Sequence, residues 1–231
     1  MRASLAIPDE MRERRPGLLV LHEAFGLNDD IRRIAGRFAD EGYVALAPDL
    51  YDGPGPRLLC IARTLQALRN GSGRAFLDLE AARVWLGNRG EVEASKLGVV
   101  GFCMGGGFAT LFAVRAPLGV AAPFYGMAPE SADALMGICP VVASYGGRDR
   151  IFAPQGRRLA QHLEQLDVPH DVQIYPDAGH SFMSRHSGLL GKILAFGPMY
   201  AAYDETVAED AWRRMLTFFA EHLEGGAGQR R

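Results

Sequence analysis

The 231-residue chain contains three cysteines, Cys60, Cys103 and Cys139, far apart and never in CxxC spacing. That excludes a disulfide framework and a thiolate zinc site, and it suits a reducing cytoplasm. Charge of one sign is missing too: the formal net charge is −2. Neither nucleic acid nor an anionic membrane is therefore expected as a partner. No apolar stretch approaches the roughly 18 residues needed to span a membrane. The opening MRASLAIPDEMRERRPG turns charged too soon for a secretory signal. There is no internal repeat, and no HExxH-like array, so a metal site is not expected.

What the chain has is hydrophobic residues, at 48% of its length, enough for a substantial core. Its length fits one α/β domain over 1–231, with GGAGQRR (225–231) as a frayed tail. Six short apolar runs read as strands: GLLVLHE, YVALAPDL, KLGVVGF, GVAAPFYG, PVVASYGG and HDVQIYP. They are nearly continuous in hydrophobicity rather than alternating, the pattern of parallel strands covered on both faces. Segments with helical spacing separate or follow them, at 30–41, 78–86, 108–115, 154–166 and 206–223. The alternation predicts an open, mostly parallel sheet with helices on both sides and its chemistry beyond the carboxyl ends of the strands.

One of those ends reads GFCMGG, residues 101–106. Gly-x-nucleophile-x-Gly is the strand–turn–helix elbow that lifts a nucleophile out of an α/β-hydrolase sheet. A glycine-rich junction around a merely buried cysteine would look the same, so the hexapeptide needs partners. A nucleophile requires a base, and the base an orienting acid, here expected in the order nucleophile, acid, histidine. Asp149 in GRDR follows the run PVVASYG, and His180 in DAGHSF follows HDVQIYP. Both therefore arrive at the edge that carries Cys103. Asp177 is too near His180, and Asp133 and Asp171 lie outside strand-end loops. His162 and His222 fall within helical patterns, His170 opens a strand, and His186 is a candidate for a pocket loop. The first strand run ends at the same edge with Glu23, which reads either as a site carboxylate or as an exposed loop charge. The amide of Met104, just after the nucleophile, is the first oxyanion donor expected of such an elbow, and the loop after Glu23 the source of the second.

The segments HEAFGLN, ALAPDLY, DLEAA, VVGFCMGG, YGGRD, DAGHSF and AYDETVAEDAWRRMLTFF, running from about Val20 to Leu223, resemble the dienelactone hydrolase (carboxymethylenebutenolidase) family of α/β-hydrolases. The resemblance implies a Cys103–His180–Asp149 triad, with Glu23 able to contact the thiol and help form the thiolate when substrate binds. It implies an oxyanion hole from the amides of Ala24 and Met104, and a small lactone or ester substrate bearing a carboxylate. Cys103 would attack the lactone carbonyl of a dienelactone. The ring would open to an enolate that takes up its own proton, and hydrolysis of the resulting thioester would release maleylacetate. No cofactor is implied, and the protein would be a cytoplasmic monomer or small homo-oligomer.

Three departures stand beside the resemblance. Any antiparallel opening strand is reduced to something like ASLAIP (3–8). Arg57, Arg63, Arg69 and Arg74 precede DLEAA, and none falls on the family's carboxylate-binding position. After His180 the arginine is Arg185, one residue later than the pattern places it, with Ser184 before it. Ser181 matches a family pocket residue, and Tyr125 either lines the pocket or packs beneath it. A general carboxylesterase or thioesterase, or a non-catalytic relative that binds a carboxylate or senses oxidants through Cys103, are the alternatives. The complete set of nucleophile, base, acid and Glu23 weighs against the last.

Overall fold

The computed structural model describes residues 1–185 and 198–225; His186 and residues 226–231 lie outside them. In chain order the strands are β1 (Ala3–Ala6), β2 (Arg15–Leu21), β3 (Val44–Pro48), β4 (Val92–Phe102), β5 (Val120–Phe124), β6 (Val141–Gly146) and β7 (His170–Tyr175). The main helices are α1 (Asp29–Asp40), α2 (Arg57–Asn70), α3 (Arg74–Gly87), α4 (Met104–Ala113), α5 (Ala153–Gln165) and α6 (Glu205–Phe219). The seven strands form one sheet in the order β1-β3-β2-β4-β5-β6-β7. Every pairing is parallel except β1 with β3, so the short opening strand expected at 3–8 is present at Ala3–Ala6 and runs antiparallel. Parallel strands need crossovers, and the right-handed helical ones cover both sheet faces. That is why the runs are apolar throughout: all five residues of β3 and of β5 are buried.

Because β2 to β7 are parallel, their carboxyl ends meet at one edge, and six chain segments leave it together. Helix α1 fixes the first of these loops. Asn28 caps it by accepting from the Ile31 amide at 3.0 Å, Asp29 and Asp30 complement its N-terminus, and Ile31, Ile34, Ala35 and Phe38 form its buried face. Helix α4 follows Cys103 directly and is buried along almost its whole length. In the core beneath it Phe102 stacks on Phe124 with centroids 5.2 Å apart. Each fully buried phenylalanine contributes about 1.5–3 kcal/mol of hydrophobic stabilisation.

Helix α2 departs from the periodicity reading. Its inward side carries Cys60, Thr64 and Ala67, while Leu58 is 81% exposed and Leu59 and Leu65 are also exposed. A helix that turns small and polar residues inward and leucines outward has no apolar stripe for sequence periodicity to detect. It ends instead on a backbone signal, Gly71 in the left-handed conformation at φ 61°.

Glycine is required where α4 crosses the sheet. A Cβ on Gly105 would overlap the Leu21 carbonyl and lie 2.7 Å from that of His22, and one on Gly101 would overlap the Gly105 carbonyl. Gly105→Ala is therefore expected to lower unfolding stability by about 1–3 kcal/mol. Gly36 in α1 has nothing within 4 Å of its Cβ position, and Gly36→Ala is expected to raise stability by about 0.4–1 kcal/mol. Urea unfolding of the two variants beside the parent checks both signs.

Candidate active site

Cys103 sits between the last residue of β4 and the first of α4, at φ 54°. A side chain in that region is strained by about 1–3 kcal/mol and persists only where its surroundings hold it. Here the Cys103 amide donates to Phe124 O at 3.0 Å, and its own carbonyl accepts from the Gly107 amide. The next strand repeats the device: Tyr125, at φ 39°, donates its amide to Ser144 O at 2.8 Å. Cys103 is a free thiol and half-buried.

The acid and the histidine come from the two strands beyond. Asp149 is completely buried after β6, and its Oδ1 accepts from the amides of Ile151 and Phe152, each at 3.0 Å. Its Oδ2 lies 2.6 Å from His180 Nδ1, so Nδ1 carries a hydrogen and Nε2 is left to face Cys103. Nε2 is buried without a hydrogen-bond partner of good geometry, and the Cys103 sulfur lies within its electrostatic reach. Burial pulls the His180 pKa down, but the Asp149 hydrogen bond and the neighbouring sulfur outweigh it and raise it to about 10. Phe152 and Tyr125 pack against the imidazole at 4.6 and 4.8 Å. The His180 backbone is held by Met199 O and by the Ala202 amide, and Gly179 passes so close to Tyr200 O that no Cβ would fit.

Glu23 is 4% exposed. Its Oε1 accepts from Ser184 Oγ at 3.0 Å, and Ser184 Oγ lies 3.3 Å from the Tyr125 hydroxyl. Tyr125 is fully buried, so it lies beneath the site; burial first, and then the Glu23 charge, push its pKa well above the usual value. Ser184, at the position where the resemblance expects arginine, thus belongs to the carboxylate cluster. Arg185 does not. Its guanidinium lies over Tyr203 and bonds that hydroxyl at 3.2 Å, while its amide donates to Asp30. Ser181 is buried at φ 56°, directly after His180.

Two side chains given no role by the sequence reading connect these pieces. The Tyr51 hydroxyl is 3.0 Å from Ala24 O and 3.3 Å from Met104 Sδ, bridging the two residues whose amides are the oxyanion candidates. Burial and then the charge of Cys103 push its pKa up to about 12, so it stays a donor. His22 is wholly buried, 2.7 Å from Glu23 O through Nδ1 and 3.0 Å from the Leu50 amide through Nε2. Both residues stand inside motifs already noted, HEAFGLN and ALAPDLY, but their contacts exist only once β2 and β3 are side by side. Met104 opens α4, where a first-turn amide has no intrahelical partner. Ala24 is exposed at the loop. Among the described residues no group of His, Cys, Asp and Glu is arranged to hold a metal ion, and no helix is long and apolar enough to cross a membrane.

Residues 1–223 match the dienelactone hydrolase family. A Yersinia pestis protein named "Putative carboxymethylenebutenolidase" is 30% identical over 236 residues, covering 95% of this chain and 83% of that protein. The crystal structure of a dienelactone hydrolase-like promiscuous phosphotriesterase from metagenomic libraries superposes with a TM-score of 0.79 at 28% identity, covering 95% of this chain and 92% of that one. An α/β-hydrolase enzyme from a deep-sea metagenome library shares the fold at a TM-score of 0.62 and 15% identity, over 96% and 93% of the two chains. The sheet and its surrounding helices are thus the α/β-hydrolase fold expected from the sequence.

The raised His180 pKa has a stability consequence of definite sign. The folded state holds the proton more tightly than the unfolded chain, whose histidine titrates near 6.5. Its contribution to stability is complete below pH 6.5 and is lost as pH rises through about 10. Urea midpoints measured across that window should fall with pH in the parent, and Asp149→Asn should flatten the fall.

Proposed function

The chain belongs to the dienelactone hydrolase family, enzymes that hydrolyse ester bonds of small molecules, and from that premise we propose that Cys103, His180 and Asp149 are its catalytic triad. The observation that carries this reading is the 2.6 Å bond of a fully buried Asp149 to His180 Nδ1, with Nε2 turned to the sulfur of a residue held at positive φ. With the thiol proton carried by His180, the thiolate sulfur attacks the ester or lactone carbonyl carbon. The carbonyl oxygen becomes an oxyanion, held by the Ala24 and Met104 amides. Loss of one such donor costs on the order of 3 kcal/mol of transition-state stabilisation. Collapse breaks the carbonyl carbon–ester oxygen bond, leaving a thioester on Cys103. The departing oxygen, an alkoxide in a simple ester and an enolate in a dienelactone, takes up the proton that His180 carried from the thiol, which leaves the imidazole neutral. Water, deprotonated by His180, then attacks the thioester and frees Cys103 as the carboxylate product leaves.

An imidazolium at His180 is charge-complementary to the attacking thiolate. Glu23, supported by Ser184 and Tyr125, is the carboxylate we assign to assisting thiolate formation when substrate enters. Ser181 and Tyr125 shape the floor beneath the histidine. A cytoplasmic setting suits the free thiols of Cys60, Cys103 and Cys139.

The substrate is proposed as a small lactone or ester, with a dienelactone as the first reading. One observation favours a second, a simple ester without a carboxylate: Arg185, the arginine nearest the family position after His180, is engaged by Tyr203.

Hydrolysis of a dienelactone and of p-nitrophenyl acetate by the purified protein, beside Cys103→Ala, tests both. Turnover of at least one substrate is expected, with a loss of at least about 10³-fold in the variant. Dienelactone turnover lost with Cys103 supports the first reading, and turnover of the simple ester alone supports the second. Ester hydrolysis undiminished in Cys103→Ala would overturn the triad.

A further inference from the structure

His22 is fully buried, titratable and unused by the chemistry proposed above. Its bonding is fixed by its neighbours. The Leu50 amide can only donate, so the ring nitrogen 3.0 Å from it, Nε2, is the acceptor. The Glu23 carbonyl can only accept, so Nδ1, at 2.7 Å, carries the hydrogen. One neutral tautomer satisfies both bonds, and burial favours it by pulling the imidazole pKa down. The Asp49 carboxylate is 3.8 Å from Nε2, beyond hydrogen-bonding distance, and is engaged by Arg2 and the Tyr51 amide. The Tyr51 ring packs on the imidazole with centroids 4.9 Å apart.

The carbonyl that receives this bond belongs to the peptide unit whose N–H is that of Ala24. The same oxygen also accepts from the Gly26 amide at 3.1 Å, so both of its lone pairs are used. A hydrogen bond to a peptide oxygen draws charge toward it and strengthens the N–H at the other end of the unit. It also fixes the rotation of the peptide plane, and with it the direction of that N–H.

We propose that His22 is a positioning residue for the oxyanion hole: through the Glu23 carbonyl it orients and polarises the Ala24 N–H that receives the developing negative charge. Tyr51 holds the other side of the same loop, through Ala24 O, and ties it to Met104. The oxyanion donor is thereby organised before substrate arrives, by groups that never touch it. The proposal rests on the assignment of Ala24 as an oxyanion donor.

Two substitutions divide the two bonds of His22. Asn at position 22 carries an amide N–H near the position of Nδ1 and has nothing to accept from Leu50. Gln reaches the position of Nε2 with an acceptor for Leu50 and leaves the Glu23 carbonyl without its donor. In His22→Gln the Ala24 amide proton, observed by nitrogen–proton NMR, is expected to move upfield. The kcat for p-nitrophenyl acetate should fall roughly tenfold at nearly constant KM, a fraction of the 10²–10³ that loss of a whole donor costs. His22→Asn should retain most of both signals even where its thermal midpoint drops. An Ala24 amide unmoved by Gln, or equal kcat losses in both variants tracking their midpoints, would overturn the proposal and leave His22 a brace for the Leu50 loop. If the parent shows no Cys103-dependent turnover, the proposed function fails, while the amide shift still decides the effect of His22 on the peptide.

Discussion

Cys103 carries a side chain at φ 54°, and most of the site is arranged around keeping it there. Strain of about 1–3 kcal/mol at one residue is a sizeable share of the few kcal/mol that separate folded from unfolded chains. It is offset by backbone groups that cannot go elsewhere. The Cys103 amide continues the β4–β5 ladder to Phe124 O, and Tyr125 repeats the arrangement toward Ser144 O. Glycines at 101, 105, 106 and 126 remove the side chains that would otherwise stand between backbones. The elbow is therefore a property of three adjacent strands and one helix. The same close approach brings α4 against the Leu21 and His22 carbonyls, so the Cys103 turn and the loop of Glu23 are fixed relative to each other.

The second organising fact is that two buried carboxylates at this edge are held by neutral donors. Asp149 Oδ1 accepts from two backbone amides, and Glu23 Oε1 accepts from Ser184. A neutral donor fixes a carboxylate in place without adding a charge of its own, and the second oxygen of Asp149 meets the imidazole of His180. The contrast with Arg37 and Glu209 is instructive. There a bidentate pair at 2.9 and 3.0 Å on the protein surface neutralises itself and faces no reactive group.

Much of this was legible because parallel strands announce themselves. Six of the seven strands follow from continuous apolar runs, and the order nucleophile, acid, histidine falls out of which loop leaves which strand. The α1, α5 and α6 segments were legible because their apolar residues repeat at helical spacing. Helix α2 was not, since Cys60, Thr64 and Ala67 face inward and the leucines outward. Side chains that act across the sequence were also hidden. Ser184 meets Glu23 across 161 residues, and the His22 contact with Leu50 requires β2 beside β3. Local pattern names a residue type in a motif; only tertiary placement says which of its atoms is a donor and to what.

The same distinction separates the chemistry from the choice of substrate. The proposed reacting groups stand in turns just beyond strand ends, where backbone hydrogen bonds and close backbone approaches hold them. The chain after His180 is held by side chains instead: Ser184 turns inward to Glu23, and Arg185 turns out to Tyr203. Exchanging a residue there leaves the ladder, the elbow and the His180–Asp149 bond untouched. Two of this chain's three departures from the family pattern fall among its arginines and one at its opening strand, and none falls on Cys103, Asp149 or His180.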